Sequence, residues 1–343
     1  MAATSIPDLV DLIASSAASN VYPSDDHILT TIQARLRADH PYTRIGAKTL
    51  LAINPFRSLS HLNDASAEEY INLCYDDTDW QSKGVQFDPN HVLPPHPYEF
   101  ALRIYHAMRR TSSSQAIVFT GSSNSGKSFT SNLITNQLLR ISSRSSEEEA
   151  TLADRCQAME RLLTSFGSAK THQNNNASRT GQYKELHFNN QGRLQSAKVL
   201  TFGLEKQRVC ATLAKDERSF HVFYQLLAGA SSEERDVLRL EDITSYNLLR
   251  SSGCYRLTGG PTSDDSIAME ELRVAMRILG FKNRQIQAIW SILSAILLLS
   301  NVEFSEPWLT DGENIEGATI SNPHVLHDAS LLWVLKRMTY KSA

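Results

Sequence analysis

Eight consecutive residues, Gly121-Ser122-Ser123-Asn124-Ser125-Gly126-Lys127-Ser128, fit the pattern G-x-x-x-x-G-K-[ST]. Two glycines let a backbone curl until successive N–H groups point inward, where they attract phosphate oxygens. A helix starting immediately afterwards adds its positive end to the same spot. In that geometry Lys127 reaches the β- and γ-phosphates of a nucleoside triphosphate, and the Ser128 hydroxyl sits on Mg²⁺. The chemistry implied is binding of a nucleoside triphosphate with Mg²⁺. The bland alternative is a Gly/Ser surface turn ahead of a helix.

Such a loop needs a strand in front of it and a helix behind it. Ala116–Thr120 (AIVFT) is short, apolar and β-branched, which predicts a strand over 116–120, and 129–141 reads as the following helix. Leu152, Cys156, Met159, Leu163 and Phe166 recur at steps of four and three, one face of another helix. Leu272, Ala275, Met276 and Leu279 form a second stripe, preceded by Asp264–Asp265 and stopped by Gly280. Asn283 is placed to cap a third helix, running through Trp290 toward Leu299. Residues 183–188 and 194–200 flank Asn189-Asn190-Gln191-Gly192, a hairpin connection. The stretch 142–149 (SSRSSEEE) reads as a solvated loop. Strands interleaved with helices predict an α/β fold with an irregular, mixed sheet.

Composition fits a globular chain: 343 residues, 41% hydrophobic and 21% charged. A formal net charge of −3 provides no basic excess for general nucleic-acid binding. Cys74, Cys156, Cys210 and Cys254 lie far apart, so reduced cytosolic thiols fit better than a zinc or disulfide framework. His91, His96 and His106 lack metal or triad spacing and read as surface or structural groups. Ile286–Leu299, the most apolar run, is interrupted by Gln287, Ser291 and Ser294 and reads as a buried helix, not a membrane span. The first 24 residues lack a basic n-region and read as a flexible leader.

A second long motif follows the phosphate loop in the expected order. Residues 167–183 (GSAKTHQNNNASRTGQY) resemble the switch I segment of the myosin head. Asn54-Pro55-Phe56 resembles its purine-binding loop, residues 115–128 its strand and phosphate loop, and 217–229 (ERSFHVFYQLLAG) a further myosin signature. The resemblance runs from about Asp25 to the C-terminus. More narrowly, Asn176-Ala177-Ser178-Arg179, residues 183–188, Gly192-Arg193-Leu194 and Thr339-Tyr340-Lys341 are similar to the N-terminal myosin-like domain of fungal chitin synthases.

The resemblance implies a P-loop NTPase fold of myosin-head type, with a mixed central sheet flanked by helices and truncated on its C-terminal side. Residues 25–343 would form one partial nucleotide-binding domain. Asn174 would contact the phosphates, Ser178 would give Mg²⁺ a second hydroxyl, and Arg179 would form the ion pair that closes the γ-phosphate pocket. Asn54 and Pro55 would border the adenine. Actin and the chitin synthase catalytic region are the implied partners. The implied location is a cytoplasmic face: plasma membrane, vesicles or a growing tip if the chain is fused to a synthase.

Departures limit the expected activity. Asn124 stands where the myosin loop has glycine, at a position needing positive φ. Ala177 replaces a serine that positions the attacking water in myosins, and Thr180 replaces the usual Phe. No Asp-x-x-Gly-Phe-Glu segment occurs, so Arg179 lacks the family's switch II glutamate. Phosphoryl transfer depends on a closed, water-positioning pocket, so binding is expected without efficient hydrolysis or motor action. Trp308 and Trp333 mark a candidate exposed patch, with ordinary packing the favoured reading. Two other readings stand beside this one: an independent P-loop ATPase, for which no Walker B-type strand end is evident, and an interaction module whose loop is a relic.

Overall fold

The computed structural model describes residues 8–9, 23–45, 48–75, 94–144, 146–210, 212–259, 264–305 and 318–339. The chain divides into two compact units, Met1–Ala153 with Leu186–Ala197, and Asp154–Glu185 with Lys198–Ala343. Trp308 and the Tyr340-Lys341 close fall outside the described residues, as do His91 and most of the expected leader; no side-chain placement is described for Trp333.

In the first unit, helix α1 (Asp25–Arg37) is capped by Ser24, whose hydroxyl accepts from the His27 amide. Strands β1 (Tyr42–Ile45) and β2 (Thr49–Ala52) pair antiparallel with Tyr42 opposite Ala52. Asp8 ties down this ribbon by accepting from the Arg44 amide at 2.8 Å. Helices α2 (Asp64–Tyr75), α3 (Pro97–Thr111) and α4 (Lys127–Ser142) enclose a core of Ile71, Leu102, Tyr105, Ile134, Leu138 and Ile141. The helix expected after the phosphate loop is therefore present and begins inside the motif.

The strand expected at 116–120 is not formed. Val118 is 85% exposed, Ile117 packs onto the core just described, and the main chain of 116–120 makes no backbone hydrogen bond among the described residues. β-branched composition favours an extended path, but a strand also needs a neighbour to complete its ladder. For the same reason the mixed central sheet is replaced, among the described residues, by four separate two-stranded sheets. Helices and strands still interleave as an α/β chain requires.

Helix α5 (Glu147–Gly167) leads into the second unit. Its N-terminal boundary shortens the expected loop, since Ser142 is the buried last residue of α4. Strands β3 (Ser168–Ala169) and β4 (Ala177–Ser178) form a minimal antiparallel pair. Strands β5 (Gly181–Phe188) and β6 (Leu194–Phe202) form the expected hairpin, whose tip, Leu186–Ala197, belongs to the first unit. At its turn the Asn189 side chain accepts from the amides of Gln191 and Arg193, and Gly192 takes φ 79°. A 3₁₀ turn (Lys206–Val209) precedes helix α6 (His221–Gly229), after which come α7 (Ser232–Leu238), α8 (Asn247–Arg250), α9 (Asp265–Ile278) and α10 (Asn283–Leu299). The small sheet β7 (Phe304–Ser305) with β8 (Thr319–Ile320), and helix α11 (Pro323–Thr339), complete the unit.

Helix α10 is the predicted buried helix. Trp290 is fully buried at the centre of a core shared with Leu226, Leu249, Met269 and Leu272. No helix among the described residues is long and apolar enough to cross a membrane. Asp264 caps α9, accepting from the Ser266 and Ile267 amides, and Gly280 at φ 87° follows its end. The expected cap of α10 moves by one position. Lys282 is the N-cap and Asn283 the first helical residue, because the Gln285 side chain reaches back to accept from the Lys282 amide.

The 217–229 signature is largely core. Arg218 is completely buried, pairs with both carboxylate oxygens of Asp265 at 2.9 and 2.8 Å, and lies 3.7 Å from the Tyr224 ring centroid. Burial pushes the Asp265 carboxyl up, against the pull of Arg218. Removing one partner of such a pair strands the other charge, so Arg218→Ala is expected to cost about 3–5 kcal/mol in urea unfolding.

In the first unit His96 is structural and buried, not a surface group. Its Nδ1 accepts from the Tyr98 amide as the N-cap of α3, which puts the ring proton on Nε2, an atom with no hydrogen-bond partner. The ring sits among Tyr42, His61, Tyr70 and Tyr98, with centroids 4.5 to 5.2 Å away. Burial, aided by His61, pushes its pKa down to about 3. The neutral ring belongs to the folded state, while the unfolded chain takes up a proton near pH 6.5. His96 therefore contributes full stability above pH 6.5 and loses it as pH falls toward 3, at about 1.4 kcal/mol per pH unit. Glu99, raised by burial, works in the opposite sense. Between pH 6.5 and 5, where His221 adds the same slope to both proteins, unfolding of His96→Asn, which keeps a capping side chain, should be measurably less pH-dependent than that of the parent.

Candidate functional site

Within the first unit the phosphate loop has the curled backbone its sequence predicts. Gly121 has φ 140°, Asn124 φ 63° and Gly126 φ 93°. The Asn124 position does require positive φ, and asparagine occupies it, as the side chain that best tolerates this region after glycine. A Cβ at Gly121 would fall 2.8 Å from the Ser125 hydroxyl, which can rotate away, so it is φ that favours glycine there. Gly126 is the N-cap of α4 and supplies no capping side chain. The amides of Ser123, Asn124, Gly126 and Lys127 find no acceptor among the described residues. A run of amide donors at the positive end of a 16-residue helix fits a phosphate group.

Two side chains hold this curl. The Lys127 ammonium donates to the carbonyls of Gly121 and Ser122, at 2.7 and 2.6 Å, and so ties the start of the loop to its end. Asn54, in the turn after β2, donates from its amide nitrogen to the Asn124 carbonyl at 2.9 Å. Its oxygen accepts from the Phe56 amide, and Phe56 is held at φ 53°. The structure thus brings Asn54 to the loop, where it braces the strained residue. Pro55 is half-buried beside it, and Ser128 is exposed in the first turn of α4. Sequence reasoning missed the Asn54–Asn124 bond, since seventy residues separate the partners and no spacing rule links them.

The second unit positions the 167–183 segment. The end of α5 runs into β3, and the chain returns through β4 so that Ala169 faces the buried Ala177 and Ser168 faces Ser178. Between them Thr171 and Asn174 exchange backbone hydrogen bonds at 2.8 and 3.3 Å, and the Asn174 side chain accepts from the Asn176 amide. Asn176 in turn meets the His221 ring at 3.2 Å. Asn174 and Ser178 thus lie on one short ribbon, with Arg179 directly after it. Thr180 donates to the Phe202 carbonyl, and its methyl lies where a Cβ on Gly167 would go.

Arg179 has an acidic partner that the motifs did not indicate. Its guanidinium lies 3.3 Å from Glu205, whose carboxylate also receives the Nε and Nη2 of Arg208 at 3.1 and 3.2 Å. Arg208 is buried and donates further to Glu217 and to the Arg218 carbonyl. The run Leu204-Glu205-Lys206-Gln207-Arg208 shows only that two charges lie three apart on a turn. The link back to Arg179 crosses the hairpin and leaves no local signal.

Comparison with known proteins follows the same residues. A family profile described as myosin head (motor domain) matches residues 18–339. The chain is 33% identical over 313 residues to chitin synthase 8 of Mycosarcoma maydis, covering 91% of this chain and 15% of that protein. It is 34% identical over 301 residues to myosin-17 of Arabidopsis thaliana, covering 88% of this chain and 18% of the relative. Over 282 residues it is 33% identical to the myosin ID heavy chain of Dictyostelium discoideum, covering 82% and 24%. The chain therefore spans less than a quarter of the length of these relatives. On the profile match and the loop geometry together, it belongs to the myosin head (motor domain) family.

Proposed function

We propose that this chain is a nucleotide-binding module that takes ATP with Mg²⁺ at residues 121–128 and serves a regulatory or targeting role in chitin synthesis. The observation that carries the reading is the curled loop at the start of α4, with unpaired amides beside a lysine. A bound triphosphate brings four negative charges and a divalent ion. The chain's own part is to orient them. The amides of Asn124, Gly126 and Lys127 offer donors, and the Lys127 ammonium exchanges its two carbonyl partners for phosphate oxygens. Asn54 keeps the loop in register, Pro55 lines the approach beside it, and Ser128 offers its hydroxyl to the ion. In the second unit Asn174, Ser178 and Arg179 supply an amide, a hydroxyl and a guanidinium of the kinds that recognise phosphate and its metal.

The chitin-synthesis assignment rests on the likeness to chitin synthase 8, with the synthase's catalytic region as the partner and a cytoplasmic membrane face as the setting. Actin is a second partner class, supported by the myosin relatives. Turnover is proposed to be slow, since Ala177 offers no hydroxyl to a water and Arg179 is engaged with Glu205.

Titration of the full chain with a fluorescent ATP analogue and Mg²⁺ tests the reading. Saturable binding is expected, and Lys127→Ala should weaken it ~10- to 100-fold, the worth of a lost charge-assisted contact. Equal binding by the two proteins, or none by the parent, would sink the proposal, and rapid steady-state phosphate release would favour an active ATPase instead. Asn54→Ala removes the brace on Asn124 and should weaken the analogue about three- to tenfold, as one hydrogen bond does, with the melting temperature little changed.

A further inference from the structure

The charged groups around Arg179 form a chain in which each cation lies between two acceptors. Arg179 is anchored through its main chain at two points: its amide donates to the Gly167 carbonyl at 2.7 Å, and its carbonyl accepts from the Glu205 amide at 2.9 Å. Its Nε donates to the Ser178 carbonyl at 3.1 Å, and its Nη1 meets Glu205 at 3.3 Å. Glu205 is therefore bonded to Arg179 through both backbone and side chain. Behind it, Arg208 grips both carboxylate oxygens in a fork and is itself fixed by Glu217 and the Arg218 carbonyl. The carboxylate cannot follow a departing Arg179, because a buried guanidinium holds it.

We propose that Glu205 is the resident partner of Arg179 and works as a latch, holding the 170–180 segment in one conformation until the guanidinium is drawn off by a competing anion. A guanidinium that is already matched to a carboxylate must give up that match before it can serve a phosphate. The pair is only partly shielded, with Arg179 at 26% and Glu205 at 35% side-chain exposure, so solvent and salt reach it. That exposure makes the contact breakable, whereas the Arg218–Asp265 pair behind it is sealed. The part of this inference that concerns nucleotide rests on the function proposed above; the latch itself does not.

Amide hydrogen exchange on the full chain separates the two. Without nucleotide, Glu205→Gln should raise exchange at the Arg179 and Glu205 amides and across 170–180 roughly fivefold, the effect expected of a partly exposed pair. Arg179→Met leaves the Glu205–Arg208 fork intact and should raise exchange in the same segment by a similar factor. A merely structural Glu205 would instead loosen 206–209 in the first variant and leave 170–180 unchanged in the second, and that pattern overturns the proposal. In the parent, the Mg²⁺-bound ATP analogue should alter exchange over 170–180 less than it does in Glu205→Gln. If the analogue binds none of the proteins, the nucleotide reading fails while the comparison without nucleotide still decides the latch. If the analogue binds and shifts the parent and Glu205→Gln equally, nucleotide does not draw the guanidinium off and that part of the inference fails, while the comparison without nucleotide still decides the latch.

Discussion

Three residues with positive φ within six positions set what the first unit can do. Gly121, Asn124 and Gly126 turn the chain so tightly that successive amides lose their chance of partners along the backbone. Asparagine tolerates this region better than other non-glycine residues, and two contacts hold it there. Asn54 binds the Asn124 carbonyl from outside, while Lys127 clasps the opening carbonyls from within. The rest of the unit supports this arrangement. Helix α4 supplies the dipole, and its burial against α3 fixes the direction in which the amides point.

Features governed by local rules were legible in the sequence, and features governed by distant partners were not. The helix after the loop, the buried helix around Trp290, the stop at Gly280 and the Asn189–Gly192 turn all follow from periodicity or turn chemistry over a few residues. The strand at 116–120 failed because composition predicts an extended path but cannot provide a neighbour; Val118 lies open on one side and Ile117 alone finds a core. The cap of α10 shifted because two adjacent residues compete for one role, and a back-reaching Gln285 decides between them. At the candidate site the motif positions were readable one by one. Their partners were not: Asn54 is seventy residues from Asn124, and Glu205 twenty-six from Arg179.

The same divide separates the two histidines placed by their surroundings. His96 and His221 have pKa values pushed down to about 3 by burial, and neither lies in a metal or triad spacing. His96 caps a helix with a nitrogen lone pair, a role usually filled by Ser, Thr, Asp or Asn. His221 sits at the start of α6 and touches Asn176 on the 167–183 segment. Both are buried groups whose depressed pKa ties their protonation to unfolding.

A common principle links Lys127 and Arg179. Each is a cation proposed above to meet phosphate, and each is already bonded within its own unit: Lys127 to two carbonyl dipoles, Arg179 to a full carboxylate. Binding a triphosphate is then an exchange of partners, and its free energy is the difference between the new contacts and the old ones. Carbonyls are weak competitors, so Lys127 is readily drawn to a stronger anion. A carboxylate held in a buried fork is a strong competitor, so Arg179 transfers reluctantly. The two charges thereby differ: Lys127 holds carbonyl partners that exchange easily, while Arg179 holds a carboxylate fixed from behind by Arg208. On the function proposed above, that inequality predicts binding with slow turnover.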